Sequence, residues 1–140
     1  MATTTLREET TSSAAETEAL GEQLGARLKP GDLVLLSGPL GSGKTTFVRG
    51  MARGAGSDAQ VQSPTFTLVR VYSGRVQLAH VDLYRVRAPG ELADLGLDEL
   101  LDEGAMVIEW GDRLDVKRAE VVMFESLGDD RRRLRFESEQ

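Results

Sequence analysis

The stretch LVLLSGPLGSGKTTFVRGMARGAG, Leu33 to Gly56, decides the reading of this chain. Its first five residues are an apolar run of strand type, and its last ten read as a helix that stops in glycine. Between them lies GxxxxGK[ST], filled by Gly38, Gly43, Lys44 and Thr45. A polyphosphate needs several main-chain N–H groups aimed inward, and side chains would block that approach. Glycines at Gly38, Gly41 and Gly43 permit close approach and unusual φ/ψ values. The helix adds its free amides and the positive end of its dipole. Lys44 supplies a mobile point charge for the terminal phosphates, and the Thr45 hydroxyl is placed to ligate Mg²⁺. Pro39, Leu40, Ser42 and Thr46 complete the candidate cradle, with Thr46 continuing the helix.

Hydrolysis requires acids near such a loop. Two apolar runs end in a carboxylate: Val76 to Val81 leads to Asp82, and Met106 to Ile108 leads to Glu109. A strand that ends this way carries its acid to the carboxyl edge of a sheet, where nucleotides bind in open α/β folds. Pattern leaves open which acid meets the metal directly and which acts through water. Thr65, in Ser63-Pro64-Thr65-Phe66, is either a switch-like hydroxyl or part of an ordinary turn into a strand. His80, the only histidine, either orients the site or sits in the core; Trp110 is either core or partner surface. No NKxD element for guanine is present, which favours adenine.

Around this nucleus, residues 3–10 read as a strand and Ala14–Leu28 as an amphipathic helix. Ser12 or Ser13 is its N-cap, with Glu16 in a capping box. A β-hairpin is expected from Thr67 to Val81, turning at Ser73-Gly74. Short helices broken near Gly96 follow, then a buried strand at Ala105–Trp110. Strands at Glu120–Ser126 and Arg132–Glu137 close the chain. The expected fold is α/β, a three-layer P-loop NTPase-like architecture in one domain over residues 1–140.

The chain has 140 residues, no cysteine and a formal charge of −6. Disulfides, zinc–thiolate sites and iron–sulfur clusters are excluded. No membrane span or secretory signal is read, so a cytoplasmic protein is expected. An acidic chain is a poor nucleic-acid binder on its own, because phosphate contacts dominate that affinity. The basic run Arg131–Arg133 reads as a solvated turn and strand start.

The motifs GPLGSGKTTFVRG, SPTFTLVRVY, HVDLYR, ELADLGLDELLDEG and VIEWGDRL, in this order, resemble the TsaE family of bacterial P-loop ATPases. The resemblance implies a parallel core sheet extended by antiparallel strands. It implies slow ATP hydrolysis in the service of threonylcarbamoyl-adenosine (t6A) formation at adenosine 37 of tRNAs reading codons that begin with adenine. The implied partners are TsaB and TsaD, with tRNA met only through their complex and no membrane involved. It makes Gly38 to Thr46 the ATP cradle, with Lys44 among the catalytic groups. Thr45 and Glu109 become the Mg²⁺ ligands, Asp82 the water-orienting acid and Thr65 the switch residue. Trp110 moves towards the functional neighbourhood. The adenine pocket falls to Thr10–Ser12, Thr11 among them, and to Arg132. Two other readings compete: a small-molecule kinase, which 140 residues leave little room for, and a nucleotide-dependent interaction module without useful hydrolysis.

Overall fold

Strand β2 (Leu33–Ser37) lies at the centre of a seven-stranded sheet, and everything at the site is placed relative to it. The computed structural model describes residues 3–39, 41–58, 61, 69–82, 96–109 and 119–139. In chain order the elements are β1 (Thr3–Thr11), α1 (Ala14–Ala26), β2, α2 (Lys44–Gly54), β3 (Val69–Tyr72) and β4 (Leu78–Asp82). They continue with α3 (Leu97–Glu103), β5 (Ala105–Glu109), β6 (Glu120–Gly128) and β7 (Arg131–Glu139). The strand order is β1-β7-β6-β2-β5-β4-β3. Strands β6, β2, β5 and β4 are mutually parallel, while β7, β1 and β3 add antiparallel at the two sides. The expected α/β sheet, parallel in its core and extended by antiparallel strands, is present.

Both faces of the central strands are covered, as continuous apolar runs such as LVLLS require. On one face Val34, Leu36, Leu78, Val107 and Val122 pack with Leu24 of α1 and with Phe47, Val48 and Met51 of α2. On the other, Leu35, Val81, Met106 and Ile108 pack with Leu100 and Leu101 of α3. Among the described residues no helix is long and apolar enough to cross a membrane.

Helices α1 and α2 meet main chain to main chain. A β-carbon on Gly21 would lie 2.1 Å from the Phe47 carbonyl oxygen, and one on Gly25 2.1 Å from that of Met51. The contact is reciprocal: Gly50 and Gly54 press on the carbonyls of Glu18 and Glu22. The i, i+4 spacing puts each glycine pair on one helix face. Arg53 adds a bonded ion pair with Glu18 and a second with Glu22 at 3.5 Å. These glycines were not read from sequence as a contact face.

The first helix starts as expected, with a variation. Ser13 is the N-cap and accepts from the Glu16 amide at 3.2 Å, but the Glu16 carboxylate reaches back to the Ser12 amide, at 2.7 Å, rather than to that of Ser13. The helix ends at Ala26, two residues early, and Arg75 bonds carbonyls at its end. The guanidinium donates to Gly25, Ala26 and Leu28 at 3.0–3.2 Å. The hairpin turn that carries Arg75 is wider than expected. Tyr72 pairs with Leu78, so the connection runs over residues 73–77 rather than closing tightly at Ser73-Gly74.

Candidate functional site

The glycine loop leaves β2 and enters α2 with three positive φ angles: 148° at Gly38, 76° at Gly41 and 103° at Gly43. Only glycine takes such values without strain. At Gly38 space is also a constraint, since a β-carbon would stand 2.8 Å from the Phe124 carbonyl oxygen. Gly41 has nothing within 4 Å of its β-position, so the loop is open there. Gly43 serves as N-cap of α2 without a side-chain capping bond, and the first turn carries no acid. The helix therefore keeps its free amides and positive end for an external anion.

Lys44 is buried, and its ammonium donates to the Gly38 carbonyl at 2.7 Å, spanning the loop. The Ser42 hydroxyl is buried without a hydrogen-bond partner among the described residues. Pro39 accepts from the Ser42 amide at 3.2 Å, closing the turn inside the loop.

Alternation along β4 and β5 sets the acids. Leu78, His80 and Asp82 share one face of β4; Ala105, Val107 and Glu109 share the same face of β5. Leu78, Ala105 and Val107 belong to the core beneath α1 and α2, so all three polar residues lie on the side where α2 begins. Asp82 and Glu109 are direct partners in the parallel ladder. Both acids line one cleft of about 310 Å³ with Gly41, Gly43, Lys44, Thr45, Thr46, Ala14, Asp130 and Arg132. A narrow extension of about 40 Å³ continues past Thr17 and Thr46 to Arg132. Glu109 is itself buried, and one of its oxygens, Oε2, accepts from His80 Nε2 at 2.6 Å.

Arg132 leaves the run Arg131–Arg133 and turns into the cleft. Its guanidinium donates to the Asp129 and Arg131 carbonyls, each at 2.8 Å, and to the Ser126 hydroxyl and the Gly41 carbonyl, each at 3.3 Å. Arg133 instead pairs on the surface with Glu125 and Glu8. Thr11 is buried and shares a 2.7 Å hydrogen bond with Thr17. It stands behind a residue of the narrow extension. Leu40, Thr65 and Trp110 lie outside the described residues.

Ala14 and Asp130 were not singled out from sequence. Asp130 could have been, since it lies two residues before Arg132 in a turn. Ala14 carries no chemical signal and is brought in by the start of α1.

The donor set fits a metal–polyphosphate better than a bare cation. Among the described residues no group of three or more His, Cys, Asp or Glu side chains could hold a metal alone. Mg²⁺ is characteristically held by one or two carboxylates together with phosphate oxygens and water. Thr45, Asp82 and Glu109, lining one cleft with Gly41, Gly43 and Lys44, offer that combination.

A family model described as "Threonylcarbamoyl adenosine biosynthesis protein TsaE" matches residues 11–135. A Treponema pallidum protein is 44% identical over 103 residues, covering 73% of this chain and 76% of that protein. A Bacillus subtilis protein is 41% identical over 127 residues, covering 86% and 78%. Both are named tRNA threonylcarbamoyladenosine biosynthesis protein TsaE. The crystal structure of YdiB from Bacillus subtilis superposes with a TM-score of 0.82 at 31% identity, over 100% of this chain and 89% of that one.

Proposed function

The chain belongs to the TsaE family, and from that premise we propose that it binds Mg²⁺–ATP at the glycine loop, hydrolyses it slowly, and serves t6A formation at adenosine 37 of tRNA alongside TsaB and TsaD homologues. One observation carries the reading: Gly41 and Gly43 of the loop, Lys44, Thr45 and the two strand-end acids line a single cleft.

In this reading the amides of Gly41 and of Gly43 to Thr46 bind the phosphates, and Lys44 exchanges its Gly38 carbonyl for their oxygens. Thr45 and Glu109 hold the cation. Mg²⁺ supplies charge neutralisation on the transferred phosphoryl group. Asp82 accepts a hydrogen bond from water and orients it, and Thr65 acts as the switch hydroxyl. Arg132, with Thr11 behind Thr17, belongs to the nucleoside end of the cleft.

Slow turnover follows from the arginines. Arg132 is the only arginine among the described residues that line the cleft, and its guanidinium is committed to four protein acceptors. An arginine delivered to the transferred phosphoryl group contributes about 10³–10⁵ in rate. A partner complex is the natural source of such a group. The charge of −6 argues that tRNA is met through that complex.

The test is ATP turnover by wild type, Lys44→Ala and Asp82→Ala, each with and without reconstituted TsaB–TsaD and tRNA. Wild type should be slow alone and stimulated by the complex, with both variants defective throughout. Equal rates with and without the complex would remove the partner from the proposal. Failure of wild type to retain any adenine nucleotide with Mg²⁺ would remove ATP.

A further inference from the structure

The buried pair beneath the cleft is chemically out of place in its surroundings. His80 is fully buried and Glu109 almost so, on a sheet face otherwise built from Leu78, Ala105 and Val107. An apolar pair would fill that space without desolvating a carboxylate. His80 Nε2 lies 2.6 Å from Glu109 Oε2, and its Nδ1 lies 3.4 Å from the Tyr72 hydroxyl. A neutral imidazole satisfies both contacts in one tautomer only: Nε2–H donates to the carboxylate and Nδ1 accepts from the phenol.

We infer that His80 is the positioning residue for Glu109: it engages Oε2 and leaves Oε1 to face the cation in the cleft, while Tyr72 fixes the imidazole from behind. The inference rests on the Mg²⁺–ATP reading above. Its physical content is preorganisation. A carboxylate free to rotate must be ordered each time a cation binds. A carboxylate held through one oxygen by a buried ring presents the other in a fixed direction. Groups that orient metal ligands in this way typically change metal affinity about 10–100-fold when removed.

The experiment reads nucleotide retention by a fluorescent ATP analogue as Mg²⁺ is titrated, beginning in EDTA, for wild type, His80→Phe, His80→Gln and Tyr72→Phe. His80→Phe should leave the EDTA signal in place and raise the half-saturating Mg²⁺ concentration about 10–100-fold. His80→Gln, which restores an N–H donor at similar reach, should recover most of that loss even if His80→Phe folds poorly. A smaller shift in the same direction is expected for Tyr72→Phe. Because the chain has one histidine, its ¹⁵N imidazole spectrum is a single set of signals. It should show the Nε2–H form in wild type and change in Glu109→Gln.

An unchanged Mg²⁺ dependence in a folded His80→Phe, equal loss in His80→Gln and His80→Phe, or an Nδ1–H imidazole would each overturn the inference while wild type still binds Mg²⁺–ATP. Absence of nucleotide binding by wild type itself would instead strike the ATP reading, and this role of His80 with it.

Discussion

The Lys44 ammonium and the Gly38 carbonyl are joined by a 2.7 Å hydrogen bond across the mouth of the glycine loop. The lysine thus closes the loop on itself with the same charge that a phosphate would claim. Replacing it with methionine keeps the stem and removes the charge. We expect Lys44→Met to fold and to lose nucleotide affinity by about 10–100-fold, the worth of a charge-assisted bond. Lys44→Arg should not restore it, since a planar fork cannot occupy a point-charge position. Equilibrium dialysis with radiolabelled ATP checks both.

Thr45 lies in the first turn of α2 and lines the cleft together with Asp82 and Glu109. Thr45→Val keeps its shape and deletes the hydroxyl. Nucleotide retention in EDTA should match wild type, and the gain on adding Mg²⁺ should shrink about tenfold or more. Thr45→Ser should retain the gain. A valine variant with full Mg²⁺ enhancement would exclude the hydroxyl as a ligand.

Arg132 ties the β6–β7 turn to the loop through Gly41. Arg132→Ala should weaken nucleotide binding about tenfold, as the turn beside the cleft loses charge-assisted bonds that brace it and hold it to the loop. Arg132→Lys should behave like alanine, because four acceptors in different directions need the guanidinium fork. Isothermal calorimetry gives the comparison, and melting curves separate it from loss of fold.

Gly25 tests the helix contact by a reversal of sign. Glycine to alanine in a helix ordinarily stabilises by about 0.8–1.0 kcal/mol. Here the added carbon would stand 2.1 Å from the Met51 carbonyl oxygen. Overpacking of this kind costs about 1–3 kcal/mol or more. Urea unfolding of Gly25→Ala and Gly50→Ala should show both destabilised.

Much of this was legible in the sequence because the signals are local. Strand, glycine loop and helix lie within Leu33 to Gly56, and a carboxylate at the end of an apolar run reports a strand edge on its own. The capping serine and the closing hairpin are equally local. The wider turn between β3 and β4 was not, because its Arg75 bonds α1, some fifty residues earlier in the chain. The His80–Glu109 bond was hidden for a similar reason: it runs diagonally between parallel strands whose register no single-strand pattern encodes. The glycines of α1 and α2 misled in another way. Each lowers helix propensity, and only the second helix laid against the first explains why they are there.

That interlock has a mechanical consequence. Neither helix can slip by a residue along the other without driving a carbonyl into a methylene, so α1 and α2 translate as one block. Ala14 in the first turn of one and Thr45 in the first turn of the other both border the cleft. Among the described residues, the Asp129–Arg132 turn borders the same cleft and is tied to the loop differently, by the 3.3 Å hydrogen bond from the Arg132 guanidinium to the Gly41 carbonyl.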